Sequence, residues 1–309
     1  MKSYISYFLF YLFLLAGSCK NLVHISDSSD TRTASSSTAG NMGKINVQIA
    51  TDVPPSVGEN SNMYLGNPSN AQPSFIFKNN YLINLEYYIM SYDADRGIPN
   101  WVSWHLNSDR LINNTKRSNK FVEYTGLPES WYQVQHRSYT ASGFDRGHHC
   151  PSADRLTSEQ ANASTFLMIN MLPQAPNNNQ RVWNNFEMYL RKRVNEGNEI
   201  YIIMGSYGQG GVGNEGYALS IDDGRVAVPS HIWKIAIILP EGTNDLDRIE
   251  AGEAEIIAIT TPNENSVRSS WKNYIVSIRA IEDATGYNFL SELSIPMQNE
   301  LELQSDQAA

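Results

Sequence analysis

The chain has 309 residues, 41% hydrophobic and 18% charged, with a formal charge of −9 from 23 Lys/Arg against 32 Asp/Glu. This composition supports a sizeable core and excludes a disordered polymer, and the acidic balance excludes a binder whose whole surface is basic but not a local basic site. Two cysteines exclude a disulfide-stapled scaffold and any zinc cluster of three or four thiolates.

At the N-terminus, Lys2 precedes a stretch from Tyr4 to Leu15 that is almost entirely large and apolar, followed by Ala16-Gly17-Ser18-Cys19. The apolar run is shorter than the roughly 20 residues of a membrane-spanning helix, so it reads as a signal peptide over residues 1–18. Leu15 to Cys19 resembles a bacterial lipoprotein box, with Cys19 as the lipidated first residue and Ala16 where a larger aliphatic residue is usual. Residues 19–60 read as a flexible tether. Its run from Ser26 to Gly43, dominated by Ser, Thr, Ala and Gly, cannot bury enough apolar surface to offset its ordering entropy. A single domain is expected from about residue 61 to 305.

Within it, Tyr81 to Tyr92 and Trp101 to Leu106 are rich in aromatic and β-branched residues bounded by Asn, Pro and Gly, and predict strands. Phe166 to Met171, Ile200 to Met204 and Val226 to Leu239 predict further strands. Helices are expected over Arg181 to Asn195, closed by Gly197, and over Ser270 to Ala284, closed by Gly286. Strands outnumber helices, which gives an α+β fold class.

Two polar clusters stand out. The first, Asp145-Arg146-Gly147-His148-His149-Cys150 continuing to Asp154-Arg155, packs charged and titratable groups into eleven residues. Alone it also fits a surface turn at Gly147 flanked by ion pairs. A zinc site of His148, His149 and Cys150 is disfavoured, because adjacent residues on a strand point to opposite sides. The second cluster runs from Asn170-Met171-Leu172-Pro173-Gln174 into a helix. Counting in fours from Asn179 reaches Trp183, Glu187 and Arg191, near one helix face, with Val182, Phe186 and Leu190 as an apolar flank. Glu187 and Arg191 alone would also fit an ordinary exposed ion pair.

Together, Asp145-Arg146-Gly147-His148, then Asn170 to Gln174, then Asn179 and Glu187 resemble the DNA/RNA non-specific endonuclease family, of secreted bacterial type, in the ββα-metal (His-Me finger) superfamily. Asn100 to Trp104, Arg117 to Phe121 and Thr285 to Leu290 extend the resemblance to roughly residues 62 to 302. It implies a ββα-metal core with a central antiparallel sheet flanked by helices. It further implies His148 as the general base, Asn179 as the one protein ligand of a divalent cation, and Glu187 holding metal-bound water. Arg117 and Arg191 would face the scissile phosphate, with Asn170 and Arg146 supporting the site. The implied cofactor is Mg²⁺, with Mn²⁺ able to substitute, and the implied reaction is hydrolysis of DNA and RNA to 5′-phosphate and 3′-hydroxyl ends. His149 and Cys150 replace the aliphatic and alanine residues commoner at those places.

The physics suits these roles: a neutral imidazole with a pKa of about 6.5 can accept a proton. A hard cation takes oxygen ligands and keeps waters when the protein offers few, and a guanidinium fork grips phosphate. Partners expected are DNA and RNA, and the membrane only through a lipid on Cys19. The expected localisation is extracytoplasmic, either membrane-anchored or secreted. Two rivals are a catalytically silent nucleic-acid binder, which would need a lost base or ligand, and an antibacterial effector with a partner inhibitor protein. The charge is also segregated: Trp101 to Arg193 holds eleven Lys/Arg and seven Asp/Glu, a net of +4, whereas residues 194–309 carry −12.

Overall fold

Tyr81 to Tyr92 folds as a hairpin, β1 (Tyr81–Asn84) and β2 (Ile89–Asp93), turning at Glu86, whose φ of 66° is left-handed. These coordinates are a computed structural model that describes residues 52–305. The signal segment, Cys19 and the Ser26–Gly43 run lie outside the described residues. Composition assigns residues 52–60 to the tether, yet this stretch lies against the domain: Pro54 is buried, Val53 packs on the core and the Asn60 amide donates to the Tyr201 hydroxyl.

The remaining strands are β3 (Ile98–Leu106), β4 (Asp145–His148), β5 (Met171–Gln174), β6 (Asn198–Tyr207), β7 (Gly211–Gly213), β8 (Gly216–Ala218), β9 (Ser220–Ile221), β10 (Val226–Ala227), β11 (His231–Pro240), β12 (Glu255–Pro262) and β13 (Ile275–Val276). With β1 and β2, five of these form one seven-stranded antiparallel sheet in the order β1-β2-β3-β6-β11-β12-β13. The long strands β6 and β11 read as nearly continuous apolar runs because both faces of the sheet are covered. The helices are α1 (Glu159–Ser164), α2 (Asn184–Asn195), α3 (Asp245–Glu250), α4 (Ile278–Thr285) and α5 (Ile295–Leu303).

Alternation along β11 divides the core. Ile232, Ala236 and Ile238 join Trp104, Ile202, Phe186 and Leu190 on the face covered by α2 and the β4–β5 ribbon. Trp233, Ile235, Ile237 and Leu239 join Trp101, Ile278, Ile281 and Leu301 on the face covered by the C-terminal helices. Lys234 shares the first face, and it is fully buried.

Three expected elements differ. Phe166 to Met171 is not a strand: Met168–Asn170 forms a 3-10 turn and pairing starts at Met171, because Asn170 turns its side chain onto the backbone of Cys150 and Thr165. The run from Val226 to Leu239 breaks at Pro229, which supplies no amide hydrogen, into β10 and β11. Ser270 to Ala284 splits into a 3-10 turn (Trp271–Tyr274), β13 and α4, since Ile275 and Val276 pair with β12 and Ser277 caps α4 by accepting from the Ala280 amide. The end at Gly286 is as expected, in the left-handed region at φ 74°.

Candidate active site

β4 and β5 pair antiparallel in a two-stranded ribbon, with Gly147 opposite Leu172 and His148 opposite Met171. Gly147 is fixed by close approach, since a Cβ there would lie 2.3 Å from Gln174 Oε1 and 2.7 Å from Gln174 Cβ. Gln174 is in turn buried, donating to Asn178 Oδ1 at 2.8 Å, and Asn178 donates to Thr261 Oγ1 and the Pro262 carbonyl in β12. The ribbon is thereby anchored to the central sheet.

Strand alternation separates the two histidines. His149 is buried, its Nδ1 donating to the Asn170 carbonyl at 3.1 Å. His148 lines a cleft of about 380 Å³ together with Arg117, Arg146, Asn179, Glu187 and Arg191. Its Nε2 is buried and has no hydrogen-bond partner among the described residues. Its ring packs edge-on to Phe166 at 5.1 Å and against Phe121 at 5.7 Å. Burial, then the positive charge of Arg117, lowers the His148 pKa to about 3, while a hydrogen bond to the Arg146 backbone works the other way. The ring is therefore neutral at pH 7.

The same aromatic pair supports the cations: the Arg117 guanidinium lies 4.8 Å above Phe166 and that of Arg146 4.7 Å above Phe121. Arg117 also donates to Asn119 Oδ1 at 2.8 Å. It stands on the irregular stretch between β3 and β4, unlike the ribbon and α2, which carry the other groups.

Asn170 is fully buried and does not reach the cleft. Its side-chain oxygen accepts from the Cys150 amide at 3.1 Å, and its NH₂ donates to the carbonyls of Cys150 and Thr165, both at 2.9 Å. Its work is to clamp the chain leaving His148 to β5. Cys150 beside it is buried, which pushes its thiol up to about 12 and makes it a packing residue.

A π-helical turn, Asn178–Trp183, leads into α2 and shifts the register of the stripe that counts in fours from Asn179. Asn179, Glu187 and Arg191 line the cleft as expected, but Trp183 is buried beneath it and Asn184 takes the cleft-facing place. Asn179 donates its NH₂ to Asp145 Oδ2 at 2.9 Å, an oxygen that also accepts from Gln180 at 2.8 Å. This fixes the amide so that Oδ1 is the end without a partner among the described residues. Among the described residues no group of three or more His, Cys, Asp or Glu could hold a metal ion. The donor set is thus one hard amide oxygen with a carboxylate nearby, which fits a cation that keeps most of its waters.

Behind the cleft lies a network that the sequence reading missed. Lys234 Nζ donates to Glu187 Oε1 at 3.1 Å and sits 5.4 Å from the Trp104 ring and 5.0 Å from that of Trp183. Arg191 donates to Asp154 Oδ1 at 2.9 Å and lies 3.8 Å from Glu187 Oε2, while Trp104 Nε1 donates to the other Asp154 oxygen at 3.0 Å. Against its burial, Asp154 and Glu187 raise the Arg191 pKa. The available signal was a lone lysine inside the apolar run of β11.

Residues 66–294 match the DNA/RNA non-specific endonuclease family. The chain is 39% identical over 256 residues to a nuclease of Nostoc sp., covering 83% of this chain and 89% of that one. It is 31% identical over 213 residues to the mitochondrial nuclease EXOG of Danio rerio, covering 67% of this chain and 60% of the relative's length. The crystal structure of the EndoG/EndoGI complex, which addresses the mechanism of EndoG inhibition, matches with a TM-score of 0.61 at 22% identity, over 75% of this chain and 91% of that chain. That likeness shows a shared fold, the ββα-metal arrangement with a central antiparallel sheet. With the matched span covering most of the chain, this protein belongs to the DNA/RNA non-specific endonuclease family and is a nuclease.

Proposed function

We propose that the chain hydrolyses internal phosphodiester bonds of DNA and RNA with His148 as general base, leaving 5′-phosphate and 3′-hydroxyl ends. The observation that carries this is the pairing, in one cleft, of a neutral His148, whose Nε2 has no partner among the described residues, with Asn179, whose NH₂ is held by Asp145 so that its amide oxygen is the end turned from that bond. His148 takes the proton of the attacking water, a contribution of about 10²–10⁴-fold. Arg117 and Arg146 bind phosphate oxygens through charge-assisted bonds. A phosphate between them offsets two of the charges that depress His148, raising its basicity once substrate is bound. Arg191, held by Asp154, presents its remaining donors to the leaving side. The family generally uses a divalent metal. Mg²⁺, with Mn²⁺ able to substitute, would be held by Asn179 with Glu187 orienting its hydration, and would stabilise charge on the phosphoryl and leaving oxygens. Since every such contact falls on the phosphodiester, base and sugar are not read and both nucleic acids are substrates.

The N-terminal pattern supports export, with Cys19 as a lipid anchor, and mass spectrometry of the mature N-terminus tests that placement. A protein inhibitor would act by covering this cleft, and the EndoG/EndoGI complex is a case of inhibition in a protein of the same fold.

The test is a plasmid and RNA digestion with protein lacking residues 1–19. Wild type should nick and degrade both with Mg²⁺ or Mn²⁺ and stop on chelation. His148→Ala should retain DNA binding and lose turnover, and Asn179→Ala should lose metal binding as well. A His148→Ala protein that cleaves at the wild-type rate would remove the proposed base.

A further inference from the structure

The cleft does not end at Arg117. A hollow of about 290 Å³ continues from it, sharing Arg117, Ser152 and Ala153 with the cleft and lined further by Asn113, Thr115, Lys116 and Leu156. Lys116, Arg117, Thr115, Ser152 and Asn113 are among its lining residues, and no Asp or Glu is. Lys116 makes no ion pair among the described residues.

The wall is held in place without a ligand. The amides of Asn114 and Thr115 both donate to the Leu156 carbonyl, at 2.9 and 3.1 Å. The Ser118 amide donates to Asn162 Oδ1 at 2.8 Å, and the buried Asn162 NH₂ bridges back to the Ser152 carbonyl and hydroxyl and to the Arg155 carbonyl, at 2.9 to 3.1 Å. One asparagine thus ties both banks together, so binding here does not require ordering of a free loop.

The geometry points to a second phosphate subsite, in which Lys116 and Thr115 hold a phosphate of the same strand flanking the one at His148, with Leu156 under the intervening sugar. The strand leaves the catalytic centre on the Arg117 side, and substrates with a phosphate there bind more tightly than an isolated phosphodiester. This inference rests on the catalytic reading of the cleft, so its test uses binding as well as turnover.

Affinity for a fluorescent oligothymidylate, measured by anisotropy in chelator across a salt series, reports the subsite even if cleavage fails. Lys116→Ala should weaken binding about two- to fivefold, the worth of one exposed ion pair. It should also reduce the slope of log K against log salt by about 0.7, the release expected for one single-strand phosphate contact. Lys116→Glu should weaken binding further. With metal, oligonucleotide KM should rise in parallel, while hydrolysis of bis-p-nitrophenyl phosphate, which carries a single phosphodiester, stays unchanged. Lys78→Ala, which makes the same charge change at a residue paired to Asp95, serves as the control. Unchanged oligonucleotide affinity and salt slope in Lys116→Glu would overturn the subsite. Loss on bis-p-nitrophenyl phosphate equal to that on the oligonucleotide would overturn it too, whereas binding as expected without any cleavage would count against the catalytic reading instead.

Discussion

Replacing Lys234 by Met keeps the aliphatic volume and deletes one charge from the buried network under Glu187. The ammonium lies 3.1 Å from Glu187 Oε1, and at an effective dielectric of about 20 that attraction is at most about 5 kcal/mol. Arg191, 3.8 Å from the other oxygen, supplies about 4 kcal/mol on the same basis but is shared with Asp154. Removing Lys234 therefore takes away about half of what holds a mostly buried carboxylate, and breaking such a pair from one side destabilises by about 3–5 kcal/mol. Met relieves part of this by filling the space between Trp104 and Trp183. Glu187 is then free to swing toward Arg191, away from its place in the cleft, and activity should fall about 10- to 100-fold, as for the loss of a group supporting a metal site. The assay is a double-mutant cycle with Glu187→Gln, reading kcat on plasmid DNA and urea midpoints in parallel. If Lys234 acts through Glu187, its substitution costs little further activity once residue 187 is Gln. Activity losses that add to within about 0.5 kcal/mol would refute the coupling.

Gly147→Ala should destabilise by about 1–3 kcal/mol, because the new methyl must displace Gln174 and with it the Asn178 anchor. Its activity should fall more than global stability accounts for, and an active, fully stable variant would contradict the contact. Stability should also decline on acidification. Burial lowers His105, His148 and His149 to about 3, so below their ordinary value the unfolded chain takes up protons that the folded one refuses. Asp245 and Glu302, raised by burial to about 6 and about 7, act in the opposite direction, being protonated in the folded state first. The carboxyl contribution fades toward pH 4 as the unfolded carboxyls also protonate, whereas the histidine contribution persists, so stability should fall between pH 6.5 and 4. Urea midpoints that stay level or rise from pH 6.5 to 4 would be the contrary result.

The sequence carried the site best where chemistry is contiguous. Asp145 to His148 and Asn170 to Gln174 each sit on one short element, so their order along the chain is nearly their order in space. Helix counting brought Asn179, Glu187 and Arg191 to one cleft but misplaced Trp183, since an added residue in a π turn leaves no hydrophobic signature. Asn170 reads as a site residue in sequence because amides serve both ligands and backbone clamps, and only its buried partners distinguish the two. Lys234 was hidden by its setting: in a strand covered on both faces a single charge looks like an edge residue until its partner, 47 positions away, is seen. The same problem of distance concealed the place of Asp154, visible in the first polar cluster, because its partners Trp104 and Arg191 come from opposite ends of the motif region.

The cleft has two halves of different construction. His148 and Asn179 stand on a ribbon and a helix braced against the central sheet, whereas Arg117 and Lys116 stand on the irregular stretch between β3 and β4, fastened through Asn162 and the Leu156 carbonyl. Bond breaking and substrate reach are therefore separable during divergence. With His148 as the proposed base and Lys116 in the proposed subsite, changes between residues 107 and 135 would lengthen, shorten or recharge the track for nucleic acid and leave the proton-transfer geometry in place, so substrate length and salt tolerance would shift without any alteration to the chemistry.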